Sequence, residues 1–457
     1  MKNPEATFDC IVIGAGISGL ALGFFARHNG RSVVVLEAGP VAGGKIRTQW
    51  EEGFCCEWGP QGFLDNVPET LELVRLLGLQ GRLVQASNAA ADRFILRNGK
   101  LRAIPLSPLK FFVSDVLSWA GRLRVLAEPF MPRANEEDES VLAFARRRIG
   151  KEAADVLVDA MVTGVFAGRA EELSLAATFP KMAHMERTYG SLTRAMFALR
   201  RKGGGGPAGP GGTLTTFQSG MQELTDALAC SLGTALRLNT RVRGIQYRQG
   251  PPSNWVVHLE QGETLLGRHL VVTVPPREAA NLLKDYLPPL VLADLQQIPV
   301  PPVVVVMTAY RQSQPFAFPL SGFGFLVPSR EPRQILGTLF CHSIFPNQAP
   351  PGTVLLRTIL GGARQPEVIH FDDHELLRLV RRELHAILGG DPDPCLVRVF
   401  RHPEGIPQYT LGHPQRLQAL DQALAALPGL HLTGNGYRGV AVNACIAEAK
   451  KVAMLLA

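Results

Sequence analysis

The sequence predicts an α/β protein: a discontinuous Rossmann-like dinucleotide domain, a mixed-sheet second domain and an inserted helical domain. Three observations predict it. Phe8 to Glu37 reads as strand, glycine turn, helix, strand and terminal acid, in that order. A second strand–turn–helix closes the chain, with a strand ending at Thr433, the turn Gly434-Asn435-Gly436 and a helix from about Val440. Between them, β-branched strand runs flank a helical stretch at 106–212.

Cys10-Ile11-Val12-Ile13 is short, apolar and β-branched, as a strand buried on both faces must be. Gly14, Gly16 and Gly19 follow as G-x-G-x-x-G. Gly14 makes the tight turn, Gly16 leaves bare backbone beside a pyrophosphate, and Gly19 lets helix and strand approach. The helix that follows turns its positive end toward the phosphates. Ser32 to Leu36 is the next strand, and Glu37 at its tip can accept hydrogen bonds from a ribose diol. Cys10 to Ala26 carries no charge, but its early glycines and the neighbouring Glu5 and Asp9 argue against an export signal or a membrane span.

The chain of 457 residues is long enough for two or three domains. It is 46% hydrophobic and 19% charged, which excludes a disordered chain. The net charge of +7 suits a solvated basic surface, an anionic membrane face or an anionic substrate. Aromatic residues do not interleave with basic runs, so nucleic acid is not an expected partner. The 7 cysteines are scattered without metal-ligand spacing, and Cys55-Cys56 suit a buried strand better than a disulfide. A reducing, cytoplasmic location is the expectation.

AGPVAGGKIRT at 38–48 sets Gly43-Gly44 beside the dinucleotide, with Lys45 or Arg47 in reach of a phosphate. This second glycine motif is typical of flavin enzymes resembling the amine oxidases. In FCCEWGPQGF, Gly59-Pro60 force a rigid turn along which a flavin ring can lie, while Glu57 is either part of that site or a core-facing cap. Val67 to Leu79 is expected as a helix with Leu71, Val74 and Leu77 on its apolar face. Arg93 to Leu96 runs through Asn98-Gly99 into a hairpin, with Arg93 as a surface residue or a carboxylate clamp.

Residues 106–130 are expected as an amphipathic helical stretch, its face built from Leu109, Phe112, Val113, Val116, Leu117, Ala120 and Leu123. Phe111, Trp119 and Leu126 lie off that face beside Lys110, Arg122 and Arg124. The stretch is either buried in a helical subdomain or a monotopic surface with its basic residues at headgroups. Glu136 to Gly150 and Glu152 to Phe166 continue helical, and KGGGGPAGPGG at 202–212 reads as a mobile surface loop. LRLNTRVRGIQY, NWVVHLE and HLVVTVPP are expected strands, and Asn239 to Val242 either stacks on an adenine or is plain strand. Pro299–Tyr310, Gly322–Pro328 and Gln334–Phe340 are further strands, and Asp373–Leu388 is a helix.

Together these motifs resemble the protoporphyrinogen oxidases, oxygen-dependent FAD enzymes of haem synthesis, over nearly the whole chain. The resemblance rests on the glycine motifs with Glu37, on EWGP, on RFILRNGKLRAIP at 93–105 and VTGVFAGRAEELS at 162–174, and on GFGFLVP at 322–328. GTLFCHSIFPNQAP at 337–350, IPQYTLGH at 406–413 and GNGYRGVAVNACI at 434–446 complete it. It implies that Gly14, Gly16, Gly19, Glu37, Gly43, Gly44 and Lys45 hold the ADP half of non-covalent FAD, with Ile17, Ser18 and Ala38 beside them. Gly59 and Pro60 would flank the isoalloxazine, Val242 the adenine, and Gly434, Val440 and Ala441 the ribityl chain and flavin edge. Arg93 would pair a propionate, Leu326 and Phe345 would sandwich the tetrapyrrole, and Gly164 and Gly168 would border the same pocket.

The implied domains are 1–90, 213–276 and 402–457 for FAD, 91–105 and 277–401 for substrate, and 106–212 as a helical, membrane-associated unit. The implied reaction takes protoporphyrinogen IX to protoporphyrin IX, a six-electron oxidation with O₂ going to H₂O₂. Coproporphyrinogen III oxidation and a flavin amine or polyamine oxidase are the alternatives, and a flavin-binding scaffold without turnover is a third. No catalytic base or metal is assigned. Further implied partners are a membrane surface, the next enzyme of the haem pathway and a second copy of the chain.

Overall fold

The computed structural model describes residues 6–105, 108–133, 138–201, 211–250, 254–313 and 316–456. Strand Ala6–Ile13 lies parallel to Val33–Leu36 on one side and to Thr264–Val272 on the other. On its far side Thr264–Val272 pairs first with antiparallel Asn254–Leu259 and then with parallel Leu430–Leu432. Strands from both ends of the chain therefore share one seven-stranded sheet. Helices Ile17–His28, Gln222–Leu232 and Val442–Leu455 cover one face, where Leu20, Leu224, Leu228, Ile446 and Ala449 pack on Val12 and Val35.

The stretch Leu236–Tyr247, expected as one strand, is two strands at opposite edges of this sheet: Leu236–Arg237 and Val242–Arg248. Asn239 takes φ +50° between them. Its N–H donates to Gly39 O at 3.0 Å and that of Thr240 to Glu37 O at 2.7 Å. The chain is thus drawn across the end of Val33–Leu36, a long-range pairing that alternation cannot reveal.

The second seven-stranded sheet runs Leu396–His402, Val303–Arg311, Thr353–Gly361, Gly337–Phe340, Gly324–Leu326, Arg93–Arg97, Lys100–Ala103. The hairpin at Asn98-Gly99 forms as the sequence predicts, with φ +50° and +72°. Helix Asp373–Leu388, opened by an Asp372/Glu375 capping box, covers one face through Leu376, Val380 and Leu384. Directly paired strand residues share a face. Register therefore sets Leu326, Gly337 and Ile359, with Leu339 and Arg357, on the other face. Phe54 and Cys56 pack on part of that face, against Val305, Met307 and Leu355.

Three helical expectations change. The helix at 67–79 is Pro68–Leu76, and it buries Thr70, Leu73 and Val74 while Leu71 is exposed. The amphipathic stretch is broken: Pro108–Val113 ends, Val116 and Leu117 are buried in the gap, and Ser118 caps a new helix, Trp119–Leu126. Its single apolar face does not exist, since Val113 and Leu123 point to solvent. Of the basic residues expected at headgroups, Lys110 is exposed, but the two arginines turn inward. Arg122 donates to the Phe112 carbonyl, and Arg124 to those of Arg148 and Arg147 at 3.0 and 2.6 Å. Finally, the helix expected from Glu136 begins at Val141 behind the Ser140 cap; residues 134–137, like most of the glycine–proline run, lie outside those described. Lys151–Phe166 is continuous, with a π turn at Ala154–Val158.

Candidate functional site

The site begins where strand Ala6–Ile13 ends. Gly14 N–H donates to Leu36 O at 2.8 Å, and Thr273 Oγ1 closes on the carbonyls of Ile13 and Gly14 at 3.0 and 2.9 Å. The chain then turns into the helix Ile17–His28, whose N-cap is Gly16 and whose first turn receives no side-chain cap. A Cβ at Gly16 would meet nothing within 4 Å. A Cβ at Gly44 would lie 3.3 Å from Gly16 Cα, and Gly43 N–H donates to Ala15 O at 2.7 Å. Two glycine segments thus face open space at the positive end of one helix, a chemistry matched to a pyrophosphate. Glu37 accepts from Ala15 N–H at 2.9 Å and Gly39 N–H at 2.8 Å. Each carboxylate oxygen keeps lone pairs for a diol.

The C-terminal turn arrives at the same place. A Cβ at Gly434 would lie 3.5 Å from Thr273 O and 3.9 Å from Ser18 Oγ. Val440 and Ala441 lead into the N-terminus of helix Val442–Leu455. Val242 starts the edge strand just beyond the crossing over Glu37. Lys45, expected on a phosphate, instead donates from Nζ to Gly405 O at 2.7 Å.

Gly59 backs onto Lys45: a Cβ there would sit 2.1 Å from the Lys45 carbonyl. His402 Nε2 donates to Trp58 O at 2.9 Å and Arg357 to Gly59 O at 2.5 Å, so two strands of the second sheet grip successive carbonyls of the turn. Glu57 is the cap of the two alternatives: wholly buried, it accepts from Met221 N–H at 2.7 Å and Thr48 Oγ1 at 2.8 Å, at the start of helix Gln222–Leu232.

Burial raises the Glu57 carboxyl from 4.5 to about 7, against the opposing pull of those hydrogen bonds and of Arg357. A raised folded pKa means the folded state holds its proton more tightly. Its contribution to stability is complete below pH 4.5 and is lost as pH rises through about 7. Glu57→Gln should flatten urea-unfolding stability over that window by about 3 kcal/mol relative to wild type. Parallel pH profiles for the two proteins would refute the assignment.

On the substrate side, a Cβ at Gly164 would lie 2.8 Å from Leu326 Cδ2, and one at Gly168 would lie 2.1 Å from Gln408 Oε1. Gln408 is buried and donates to the carbonyls of Phe166 and Ile406, both at 2.8 Å. Arg93 is exposed, its guanidinium 5.1 Å from the ring centre of Phe323. Phe345 is wholly buried in a separate cluster with Ala90 and Ile344, against which Phe323 and Leu339 pack. The structure therefore joins Gly164 to Leu326 and Arg93 to Phe323, but places Leu326 and Phe345 in different hydrophobic clusters. Leu339, which the sequence reading passed over, lies on the face of Leu326 and touches the Phe345 cluster. Arg357 and His402 were also missed; the signal for Arg357 is a lone cation inside the apolar run VLLRTIL. A cavity of about 400 Å³ lined by Arg311, Phe316, Phe318, Leu320, His342 and Val354 shares no residue with this site.

Residues 17–457 match the family described as flavin containing amine oxidoreductase. The chain is 34% identical to a chloroplastic protoporphyrinogen oxidase of Nicotiana tabacum, over 99% of this chain and 86% of that protein. It is 29% identical to a coproporphyrinogen III oxidase of Bacillus subtilis (strain 168), over 96% of each. A solved structure from Exiguobacterium sp. 255-15, provisionally named protoporphyrinogen oxidase, matches with TM-score 0.83 and 26% identity, over 99% of this chain and 98% of that one.

Proposed function

We propose that this chain, which belongs to the family of flavin-containing amine oxidoreductases and among them to the protoporphyrinogen oxidases, oxidises protoporphyrinogen IX to protoporphyrin IX with non-covalent FAD and O₂. The observation that carries this reading is the end-to-end match to a protein of that name, 99% of this chain against 86% of the relative. When bound, FAD supplies a two-electron acceptor that cycles three times and passes each pair to O₂. The polypeptide's part is placement. Backbone N–H groups at Ile17 and Ser18 with the bare Gly16 and Gly44 hold the pyrophosphate, Glu37 the ribose and Val242 the adenine. Gly59, Pro60, Gly434, Val440 and Ala441 border the ring and ribityl chain. Lys45 and Ala38 complete the cofactor set, with Gly14, Gly19 and Gly43 shaping the turns. Cys445 lies inside the last helix with its thiol on Gly439 O at 3.8 Å, which favours a flavin that is not tethered.

Leu326, with Gly164 and Gly168, forms an apolar wall for the macrocycle, and Leu339 on the same sheet face rests on the buried cluster that contains Phe345. We assign no general base. His402 and His413 each hold a backbone carbonyl, of Trp58 and Tyr437, both at 2.9 Å. In domain terms, 1–90, 213–276 and 402–457 would hold FAD, 91–105 and 277–401 the substrate, and 106–212 would carry the pocket's helical wall. The test is anaerobically prepared protoporphyrinogen IX given to the purified protein, followed by porphyrin fluorescence and peroxide on admitting air. An FAD-loaded protein that forms neither overturns the reading. Coproporphyrinogen III is run beside it, because the Bacillus subtilis relative bears that substrate's name. Arg93 stands at the exposed end of its strand, where a propionate can reach it. Arg93→Ala is expected to raise KM about tenfold or more, the loss of one charge-assisted pair, with FAD content unchanged. An unchanged KM removes Arg93 from the site.

Among the described residues no helix is long and apolar enough to cross a membrane. Around the helix Trp119–Leu126, however, Val113 is 82%, Trp119 68% and Phe130 80% exposed, with Leu123 and Leu126 also in solvent. These side chains suit a cytoplasmic enzyme resting on a lipid surface, where its apolar substrate would dissolve. The doubly substituted Val113→Ser, Phe130→Ser protein should bind phosphatidylglycerol vesicles at least about tenfold more weakly, since burying one such side chain is worth ~1.5–3 kcal/mol. Equal vesicle binding would count against it.

A further inference from the structure

A buried cation and a half-buried one, Arg357 and Lys45, close on the Trp58–Pro60 turn without a carboxylate in ion-pair contact among the described residues. Arg357 is 6% exposed, donates to Gly59 O at 2.5 Å, and has a buried Nε with no acceptor among the described residues. Lys45 supplies the backbone on which Gly59 rests and holds Gly405 O at 2.7 Å. Within the 4.0 Å of an ion pair, neither has a carboxylate partner among the described residues. The acid on the neighbouring strand, Glu57, is bound to Met221 N–H and Thr48. A buried cation left unpaired costs several kcal/mol, and a fold retains one where an anion arrives with a ligand.

Resting on the reading that FAD lies along this turn, we infer that Arg357, seconded by Lys45, is a positioning residue whose charge favours the reduced flavin. Taking up two electrons from the reductant and one proton, the neutral ring gains one negative charge, and a preorganised cation beside it stabilises that charge at no cost in reorganisation. A substrate carboxylate is the other anion to consider. Its candidate partner, Arg93, stands three strands away in the same sheet, about 14 Å at ~4.8 Å per strand. That leaves Arg357 to the flavin.

The measurement is the midpoint potential of FAD-loaded protein, by equilibration with a redox dye. Arg357→Met should lower the reduced-to-oxidised ratio at a fixed ambient potential at least tenfold, about 30 mV for a two-electron couple. Arg357→Lys, which keeps the charge and gives up the fork, should stay within threefold of wild type. Should Arg357→Met retain no flavin, Lys45→Met must move the potential in the same direction. A wild-type potential in the Met variant overturns the inference, as does a Lys variant that falls as far. So does a raised KM at unchanged potential, which would hand Arg357 to the substrate. Wild-type protein that takes up no FAD overturns the cofactor reading itself, a separate outcome visible before any variant is made.

Discussion

A Gly16→Val protein is expected to fold and to leave purification without flavin, its FAD affinity at least about 100-fold below wild type. Gly16 has φ −70° and ψ 179°, backbone that valine adopts readily, and its Cβ would point into space empty to 4 Å. The fold therefore has no steric objection, and the cost to the free protein is the poorer N-cap, about 1 kcal/mol. The pyrophosphate does object. Isopropyl bulk at the cap pushes it off the helix N–H groups, and losing two charge-assisted hydrogen bonds at ~1.5–3 kcal/mol each exceeds the ~2.7 kcal/mol of a hundredfold change. Gly19 gives the contrast, since a Cβ there would lie 1.9 Å from the Gly14 carbonyl. Gly19→Ala should lose the fold along with the flavin, because the clash is with backbone. Flavin absorbance and a thermal melt of the apoprotein separate the two cases. A yellow Gly16→Val protein of unaltered affinity would remove the pyrophosphate from this turn.

The same contrast explains what was legible in the sequence. Glycine spacing encodes local backbone geometry, so the turns at Gly14–Gly19 and Gly434–Gly436 could be read directly, as could the Asn98-Gly99 hairpin. The strand-to-helix order around them gave the doubly covered sheet, because a parallel strand covered on both faces cannot alternate. What failed depends on partners distant in the chain. Asn239 breaks its strand because Glu37 and Gly39 pull the backbone across, and neither is near it in sequence. The helical stretch breaks before Trp119 because Glu152 takes the N–H of Ser118 at 2.9 Å and its hydroxyl at 2.5 Å. Lys45 holds the carbonyl of Gly405, some 360 residues away, a partner its glycine-rich setting does not announce. Cations inside the fold are the hardest case, since a lone Arg357 in an apolar strand looks like an error of pattern until its carbonyl partner is seen.

Arg146-Arg147-Arg148 looks like a solvated basic run, yet its third member is wholly buried, and Arg148→Met is expected to cost ~3–5 kcal/mol. Arg148 pairs with Glu186 at 2.7 Å and Glu128 at 3.6 Å, and donates to Met131 O at 2.8 Å and to Gly190 O. Glu186 keeps a second partner, Arg147, at 2.7 Å. Among the described residues Glu128 has no other cation; it caps helix Leu192–Arg201, accepting from Ser191 Oγ at 2.7 Å, Leu192 N–H at 2.9 Å and Thr193 N–H at 3.0 Å. Removing the guanidinium leaves that carboxylate buried with hydrogen bonds alone, which is the expensive half of a broken ion pair. Adding Glu128→Gln to Arg148→Met should recover part of the loss, because the uncompensated charge goes with it. Denaturant unfolding measures both, and a single-variant loss under about 1 kcal/mol would show that water reaches the site. The consequence reaches the pocket. The helix Val141–Ile149 that carries Arg148 shares a core with Val162 and Phe166, the flanks of Gly164. Loosening this network should therefore raise KM for the macrocycle while the flavin content stays that of wild type.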